Sequence, residues 1–337
     1  MTDAPARPMR AGVVGLGTMG RNHVRVWDEA VDGVDLVAVA DPDPEALRRA
    51  THGRSAIRGF ADAAEMFAAE QLDLVSIVAP TSLHMQTALA ALAAGAHVLV
   101  EKPIAATRPE AERMIAAAAD AGRLLTVGHI ERFNPAIREL RQRLAAGELG
   151  RIFQIHATRL GPFPARIRDV GVVVDLAPHD LDVMRFLLGS DPVRLYAETE
   201  RRIHTEHEDL FVGVMKFANG AVGVLDINWL TPTKRRTLSV TGERGMYVAD
   251  YLDQDLVFYA NPADDSVAEG EMVRRHVERR EPLAIELEEF ARAVRDGGPA
   301  PVDPREAMIA LLLARTMVEA ASSGKVVSGA ALREVLA

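Results

Sequence analysis

The 337-residue sequence predicts an α/β protein: a parallel, helix-covered sheet at the N-terminus, then an α+β domain on a large, open, mostly antiparallel sheet. Three observations predict it. From Met9 to about Gly128, short apolar runs alternate with alanine-rich helical stretches, the pattern of a parallel sheet covered on both faces. After Phe133 the rhythm changes to strand-type runs joined by tight turns, which implies antiparallel pairing. The length exceeds what one compact core fills, and places the two domains at 1–128 and 129–337.

In the first domain the expected strands are Arg10–Gly17, Val34–Asp41, Leu72–Pro80, Ala96–Pro103 and Arg123–His129. Helices between them start near Thr18, Asp43, Ala61, Thr81 and Thr107, several behind residues that cap a first turn. In the second domain a helix over Pro135–Ala146 precedes a strand at Arg151–Leu160, and a helix over Asp175–Leu188 follows. Strand-type runs then come at Val193–Glu200, Leu210–Ala218, Ala221–Leu230, Arg236–Gly242, Gly245–Tyr251 and Asp255–Ala260. Asn219-Gly220 is a hairpin turn signal between two of them. Asn261–Glu271 reads as an exposed loop, and helices at Pro282–Arg295 and Pro304–Ser322 close the chain.

Composition narrows the function. A formal charge of −9 argues against nucleic acid and anionic membranes as partners, since both call for a basic face. The run Arg274, Arg275, Arg279 and Arg280 is diluted by Glu278 and Glu281, and reads as a solvated face. The absence of cysteine excludes disulfides, thiolate catalysis and Cys-ligated metal sites. No window approaches about 18 uninterrupted apolar residues, the length of a membrane span. No apolar stretch precedes the first strand, so a signal peptide is not expected and a cytoplasmic location is. His204, His207 and Asp209 superficially resemble metal ligands. On a strand the two histidines would face opposite ways, so no metal is expected.

Gly15, Gly17 and Gly20 form a G-x-G-x-x-G turn that follows the first strand and, with Thr18 and Met19, opens the first helix. Such glycines allow a tight turn and close approach of the backbone to a pyrophosphate, while the helix N-terminus supplies amide donors. Asp41 ends the second strand, where a carboxylate can accept hydrogen bonds from the adenosine ribose hydroxyls. Together they predict a bound dinucleotide. The Asp41 charge would repel a 2′-phosphate, which favours NAD over NADP; Arg48 and Arg49, further along, are the features that keep NADP open.

Glu101-Lys102-Pro103 at the end of the AHVLV strand places a cation at a strand end. Only four lysines, Lys102, Lys216, Lys234 and Lys325, occur among 39 basic residues, so arginine is the default cation of this chain. A lysine in its place suggests a group that must give up a proton. Lysine serves as a base near neutral pH where burial or neighbouring cations favour its neutral form.

The run from Val78 to Pro103, with Pro80, Thr81 and His84 ahead of Glu101, Lys102 and Pro103, resembles the Gfo/Idh/MocA family of NAD(P)-dependent sugar and cyclitol oxidoreductases. An Asp-x-x-x-His element, Asp175 and His179, extends the resemblance into the second domain, and nearly the whole chain fits. The stretches GHIERFNPAIREL, RIRDVGVVVDLAPHDLD and NWLTPTKRRTLSVTGERG look like those of UDP-N-acetylglucosamine 3-dehydrogenases. The resemblance implies a Rossmann domain, a cis Pro103, Lys102 as base or proton relay, and Asp175 and His179 as its catalytic partners. It puts Pro80, Thr81, His84 and Glu101 by the cofactor. Arg132, Asn134, Arg166 and Arg168 are candidate contacts to the substrate's pyrophosphate or sugar, because the guanidinium fork suits phosphate oxygens.

The reaction so implied is oxidation of a sugar-nucleotide hydroxyl to a ketone, with an aminotransferase as the natural consumer. An inositol, free-sugar or deoxysugar-nucleotide dehydrogenase of the same family is the alternative. The open sheet of the second domain has a face to cover, and a homodimer or homotetramer is expected. Many family members carry a glycine-rich segment before Asp-x-x-x-His, whereas this chain reads Asp169-Val170-Gly171-Val172-Val173-Val174, which is expected to alter the pocket wall.

Overall fold

A computed structural model describes residues 7–164, 170–204, 206–262 and 270–336. It divides into two compact units, residues 1–130 with 281–308, and residues 131–280 with 309–337. The second boundary is one that a single cut after residue 128 does not describe. The physical reason is apolar: Leu283, Leu287 and Phe290 of the helix at Pro282–Asp296 are buried in the core of the first unit, where Phe290 meets Trp27 edge-on.

The first unit holds six parallel strands: β1 (Met9–Val14), β2 (Val34–Ala40), β3 (Arg58–Phe60), β4 (Leu74–Ile77), β5 (His97–Glu101) and β6 (Leu125–Gly128). Their spatial order is β3-β2-β1-β4-β5-β6. Every residue of β4 and β6 is buried, as a sheet covered on both sides requires. The helices are α1 (Thr18–Glu29), α2 (Pro44–Thr51), α3 (Ala63–Ala69), α4 (Thr81–Ala93) and α5 (Arg108–Ala121). Capping residues set their starts. Asp43 caps α2, Asp62 caps α3, and Thr107 with Glu110 forms a reciprocal capping box on α5. The edge strand β3 escaped the sequence reading because it is three residues long and half polar.

The second unit begins with the short 3-10 turn Ile130–Phe133, α6 (Pro135–Ala145), β7 (Ile152–Pro162) and α7 (Val172–Leu188). Strands β8 (Pro192–Glu200), β9 (Leu210–Phe217), β10 (Val222–Asn228), β11 (Leu230–Gly242), β12 (Gly245–Asp250), β13 (Asp255–Ala260) and β14 (Met272–Arg275) follow. After α8 (Pro282–Asp296) and α9 (Pro304–Ser323) come β15 (Val327–Ser328) and α10 (Ala330–Leu336). The nine strands order as β14-β13-β12-β11-β7-β10-β9-β8-β15, antiparallel except where β7 runs parallel to β10. Gly220, at φ 91°, turns the chain from β9 into β10 as Asn219-Gly220 predicts. β14, β15 and α10 were not expected from the sequence; each is short and amphipathic only in part.

One face of this sheet carries Ile155, Ala157, Leu225, Ile227, Leu238 and Val240 into a core shared with α6, α7 and α9. The other face leaves Val212, Val214 and Tyr259 more than a third exposed. Most of the expected loop at Asn261–Glu271 lies outside the described residues. Among the described residues no helix is long and apolar enough to cross a membrane.

Candidate active site

In the first unit the chain leaves β1 through Gly15, at φ 90°, and a Cβ on Gly20 would stand 1.9 Å from the Gly15 carbonyl oxygen. Only glycine allows α1 to start so close to the strand end. A Cβ on Gly17 would meet nothing within 4 Å, and no side chain caps α1 there, so its first amides face open space. A cleft of about 690 Å³ opens beside them, lined among others by Gly15, Gly17, Asp41, Pro80, Leu83 and Thr87. Asp41 Oδ2 accepts the Leu16 N–H at 2.6 Å and Oδ1 accepts the Asp43 N–H at 2.8 Å, which fixes the carboxylate at the rim. Arg48 pairs with Glu45, and Arg49 with Glu45 and Asp43, so α2's arginines are engaged by their own helix start.

This cradle fits a dinucleotide: glycines where a pyrophosphate must approach, helix amides for its charge, and a carboxylate at the ribose position. Thr18 and Met19 open α1, with Met19 packed against the core, and Thr81 opens α4; none of the three lines the cleft. Leu83, Gln86 and Thr87, which do, were not anticipated. They lie within two turns of the start of α4, on the flank beside Pro80.

At the end of β5 the Lys102–Pro103 bond is cis, as the family resemblance implies. Glu101 is largely buried. Its Oε1 lies 3.1 Å from His23 Nε2, and its Oε2 accepts the Lys102 N–H at 3.2 Å. Burial by itself would raise the Glu101 pKa; the His23 hydrogen bond and charge, with Lys102 beside it, hold it below the usual carboxylate range. His23, on α1 and fully buried, is a residue the sequence reading missed, because only the tertiary fold brings it to β5.

His84 differs from its expected place by the cofactor. It is 1% exposed and its two ring nitrogens lie 2.9 Å from the carbonyl oxygens of Pro103 and Ala79. The ring sits between the end of β4 and the turn after β5, and in its neutral form donates to one of these two carbonyls. Burial lowers its pKa against the pull of those carbonyls.

In the second unit α7 carries Asp175 and His179 one turn apart, both half-buried. The helix start is fixed by Glu208, whose backbone carbonyl accepts the Val172 N–H and whose side chain accepts the Val173 N–H. Val172 and Val173, expected to reshape a pocket wall, are instead fully buried in the core. Asp175 lines a pocket of about 310 Å³ with Arg159, Phe163, Trp229, Lys234 and Arg236.

Two buried clamps hold α7 just after His179. Arg159 of β7 donates to both oxygens of Asp180 at 2.7 and 3.0 Å and to Glu131 at 3.0 Å. Arg132 donates to both oxygens of Asp182 at 2.6 and 2.5 Å. Arg132, expected to contact substrate, is therefore committed to α7. Asn134 is also structural: it caps α6 through the Ala136 N–H and donates to the Tyr251 carbonyl, each at 3.0 Å. Both side chains are buried, and the donors seen here are spent on protein groups. Arg166 and Arg168 lie outside the described residues.

Hydrogen bonds to Asp209 shape the histidine-rich loop. Asp209 accepts the N–H groups of Arg202, Ile203 and His204, and His204 stacks on Trp229. Among the described residues no group of three metal-ligating side chains comes together. Trp229 is 3% exposed and lines the pocket with Phe163 at its edge. It belongs to the core of the second unit and also walls the pocket. Arg236 could have been found from strand alternation, since it shares a face with the buried Leu238 and Val240.

Comparison with known proteins gives this geometry its setting. Residues 9–129 match the oxidoreductase family with an NAD-binding Rossmann fold, and residues 137–248 match the GFO/IDH/MocA C-terminal domain. The chain is 32% identical over 317 residues to the UDP-N-acetylglucosamine 3-dehydrogenase of Acidithiobacillus ferrooxidans, covering 93% of this chain and 98% of that one. A crystal structure of that relative superposes with a TM-score of 0.85 at 30% identity, over 94% of this chain and 98% of its own. The myo-inositol 2-dehydrogenase of Thermotoga maritima is 26% identical over 322 residues, 90% of this chain and 94% of the relative.

Proposed function

The chain belongs to the Gfo/Idh/MocA family of oxidoreductases, and from that premise we propose that it oxidises the 3-hydroxyl of UDP-N-acetylglucosamine to a ketone, with NAD as acceptor. NAD binds the Rossmann unit, where the glycine turn, the open amides of α1 and Asp41 would hold it. The observation that carries the substrate reading is the identity to a UDP-N-acetylglucosamine 3-dehydrogenase, which runs through both units rather than the nucleotide half alone. Inositol dehydrogenases match over a smaller share of this chain, and an inositol or another sugar stands as the second reading.

NAD supplies a hydride acceptor; the chain's own residues bind, orient and move the proton. Bound NAD would take up the hydrogen of the carbinol C–H bond with its electron pair, as hydride. The O–H proton goes to Lys102 Nζ, and the C–O single bond becomes C=O. Glu101, held ionised by His23, supplies the charge that stands behind Lys102. Asp175 and His179 orient the sugar, and their clamped helix fixes where they stand. The ketone is a substrate for amination, so an aminotransferase is the consumer this reading expects. The half-apolar outer face of the nine-stranded sheet is the surface for assembly into a dimer or tetramer, in the cytoplasm where NAD is supplied.

The test is NADH formation from NAD and UDP-N-acetylglucosamine, with the ketone drawn off by an aminotransferase and glutamate because the oxidation is uphill near neutral pH. Lys102→Met is expected to lower the rate by about 10²–10⁴, the range for loss of a general base, while NADH still binds. Full activity in Lys102→Met removes the mechanism. NAD binding without turnover removes the substrate and turns the search to inositols and free sugars.

A further inference from the structure

We propose that Lys234 and Arg236 form a subsite for the phosphate groups of the substrate, in the 310 Å³ pocket that also presents Asp175. The inference rests on the sugar-nucleotide reading and names the residues of this chain that would recognise it.

The strand pairing builds the subsite. Leu230 pairs with Pro162 and Arg235 with Leu160, so four residues of β11 stand against one, Gly161, on β7. This bulge carries Lys234 out of the regular ladder and over Gly161, whose side its Cγ approaches to 3.7 Å of where a Cβ would stand. Bulges re-aim side chains in this way. Regular pairing resumes at Arg235 and sets Arg236 directly opposite Arg159 on the same face.

Two arginines directly opposite each other repel, and each needs a counter-charge. Arg159 has its own, with Asp180 and Glu131 in direct contact. Arg236 has none: among the described residues no carboxylate lies within 4.0 Å of it, nor of Lys234. Burial and the Arg159 charge press the Arg236 pKa down, against the more distant Glu131, Asp180 and Asp175. A half-buried guanidinium beside a second cation is a costly arrangement unless an anion completes it. Among the described lining residues only Asp175 supplies a carboxylate, and Trp229 and Phe163 form an apolar wall that strengthens any charge pairing inside. A neutral polyol would leave both cations unanswered. A phosphate or diphosphate answers both, with the fork of Arg236 as a bidentate donor and Lys234 as a point charge.

The experiment measures binding, not turnover, so that it stands apart from the proposed reaction. The full chain, saturated with NADH to occupy the Rossmann cleft, is titrated calorimetrically with UDP, inorganic pyrophosphate and inorganic phosphate. Wild type is expected to bind UDP, and Lys234→Met and Arg236→Met to weaken it on the order of tenfold each, the scale of one charge-assisted contact. Lys234 is exposed, so its variant keeps the proposal testable if Arg236→Met fails to fold. UDP and pyrophosphate binding well above phosphate supports a diphosphate-linked sugar; equal binding of all three supports the same subsite serving a sugar phosphate. UDP binding that is absent from wild type, or unmoved in Lys234→Met, overturns the subsite. Failure to oxidise UDP-N-acetylglucosamine while UDP binding still depends on Lys234 overturns the reaction and leaves the subsite standing.

Discussion

A single histidine shows how burial, rather than residue type, sets a role. His84 sits in a motif associated with the cofactor, yet the fold sets both its nitrogens beside carbonyl oxygens. Because burial depresses its pKa, the folded chain favours the neutral ring. Below the ordinary value of about 6.5 the unfolded chain takes up a proton that the folded chain refuses. The stability linked to His84 is therefore full above that pH and is lost as pH falls below it. Urea midpoints should drop between pH 7.5 and pH 5.5 more steeply in wild type than in His84→Asn; parallel slopes would refute the assignment. His97, whose pKa burial and the Arg123 charge also lower, remains in both proteins and cancels in the comparison. Lys102, Asp41, Asp175 and His179 were legible because each stands at a strand end or helix spacing that sequence displays. His23, the commitment of Arg132 and the contact of Trp229 with Phe163 were not, since each depends on residues 50 to 78 positions away.

At the scale of the element, α7 holds Asp175 and His179 and is anchored by both apolar and charged side chains. Its hydrophobic face packs into the core through Val172, Val173, Ala177, Leu181 and Met184, while Asp180 and Asp182 are drawn to arginines on two other elements. Helix spacing alone puts Asp175 and His179 on one face; the clamps decide where that face points. Arg159→Met should cost about 3–5 kcal/mol in urea unfolding, because it strands Asp180 and Glu131 as buried, uncompensated charges. It should also lower kcat/KM, through misplacement of Asp175 and His179. Arg159→Lys keeps the charge but loses the fork and should fall between. A variant as stable as wild type would show that the network does not hold the helix.

For the whole molecule, the consequential feature is that the nucleotide unit is discontinuous. α8 returns from residue 281 to bury Leu283, Leu287 and Phe290 against Trp27 and its neighbours. Each such side chain contributes about 1.5–3 kcal/mol when fully buried. A fragment ending at residue 130 should therefore be aggregation-prone and bind NAD poorly. The same fragment joined by a flexible linker to residues 281–308 should be soluble and melt higher when NAD is added. Equal behaviour of the two would mean that α8 is dispensable to the first unit.

The sequence by itself determined the parallel and antiparallel halves, the glycine turn with Asp41, the strand-end Lys102 and the helical pairing of Asp175 with His179. These are local matters, set by periodicities of two and 3.6 residues and by turn chemistry within a few positions. Tertiary structure alone decided which charges are spent and which are offered. Arg132 and Asn134 turned inward to buried partners, while Lys234 came to a pocket through a register shift that no local pattern announces. The reason is that an arginine's function depends on whether a carboxylate lies within reach of its fork, and the chain fixes that only when distant strands and helices meet.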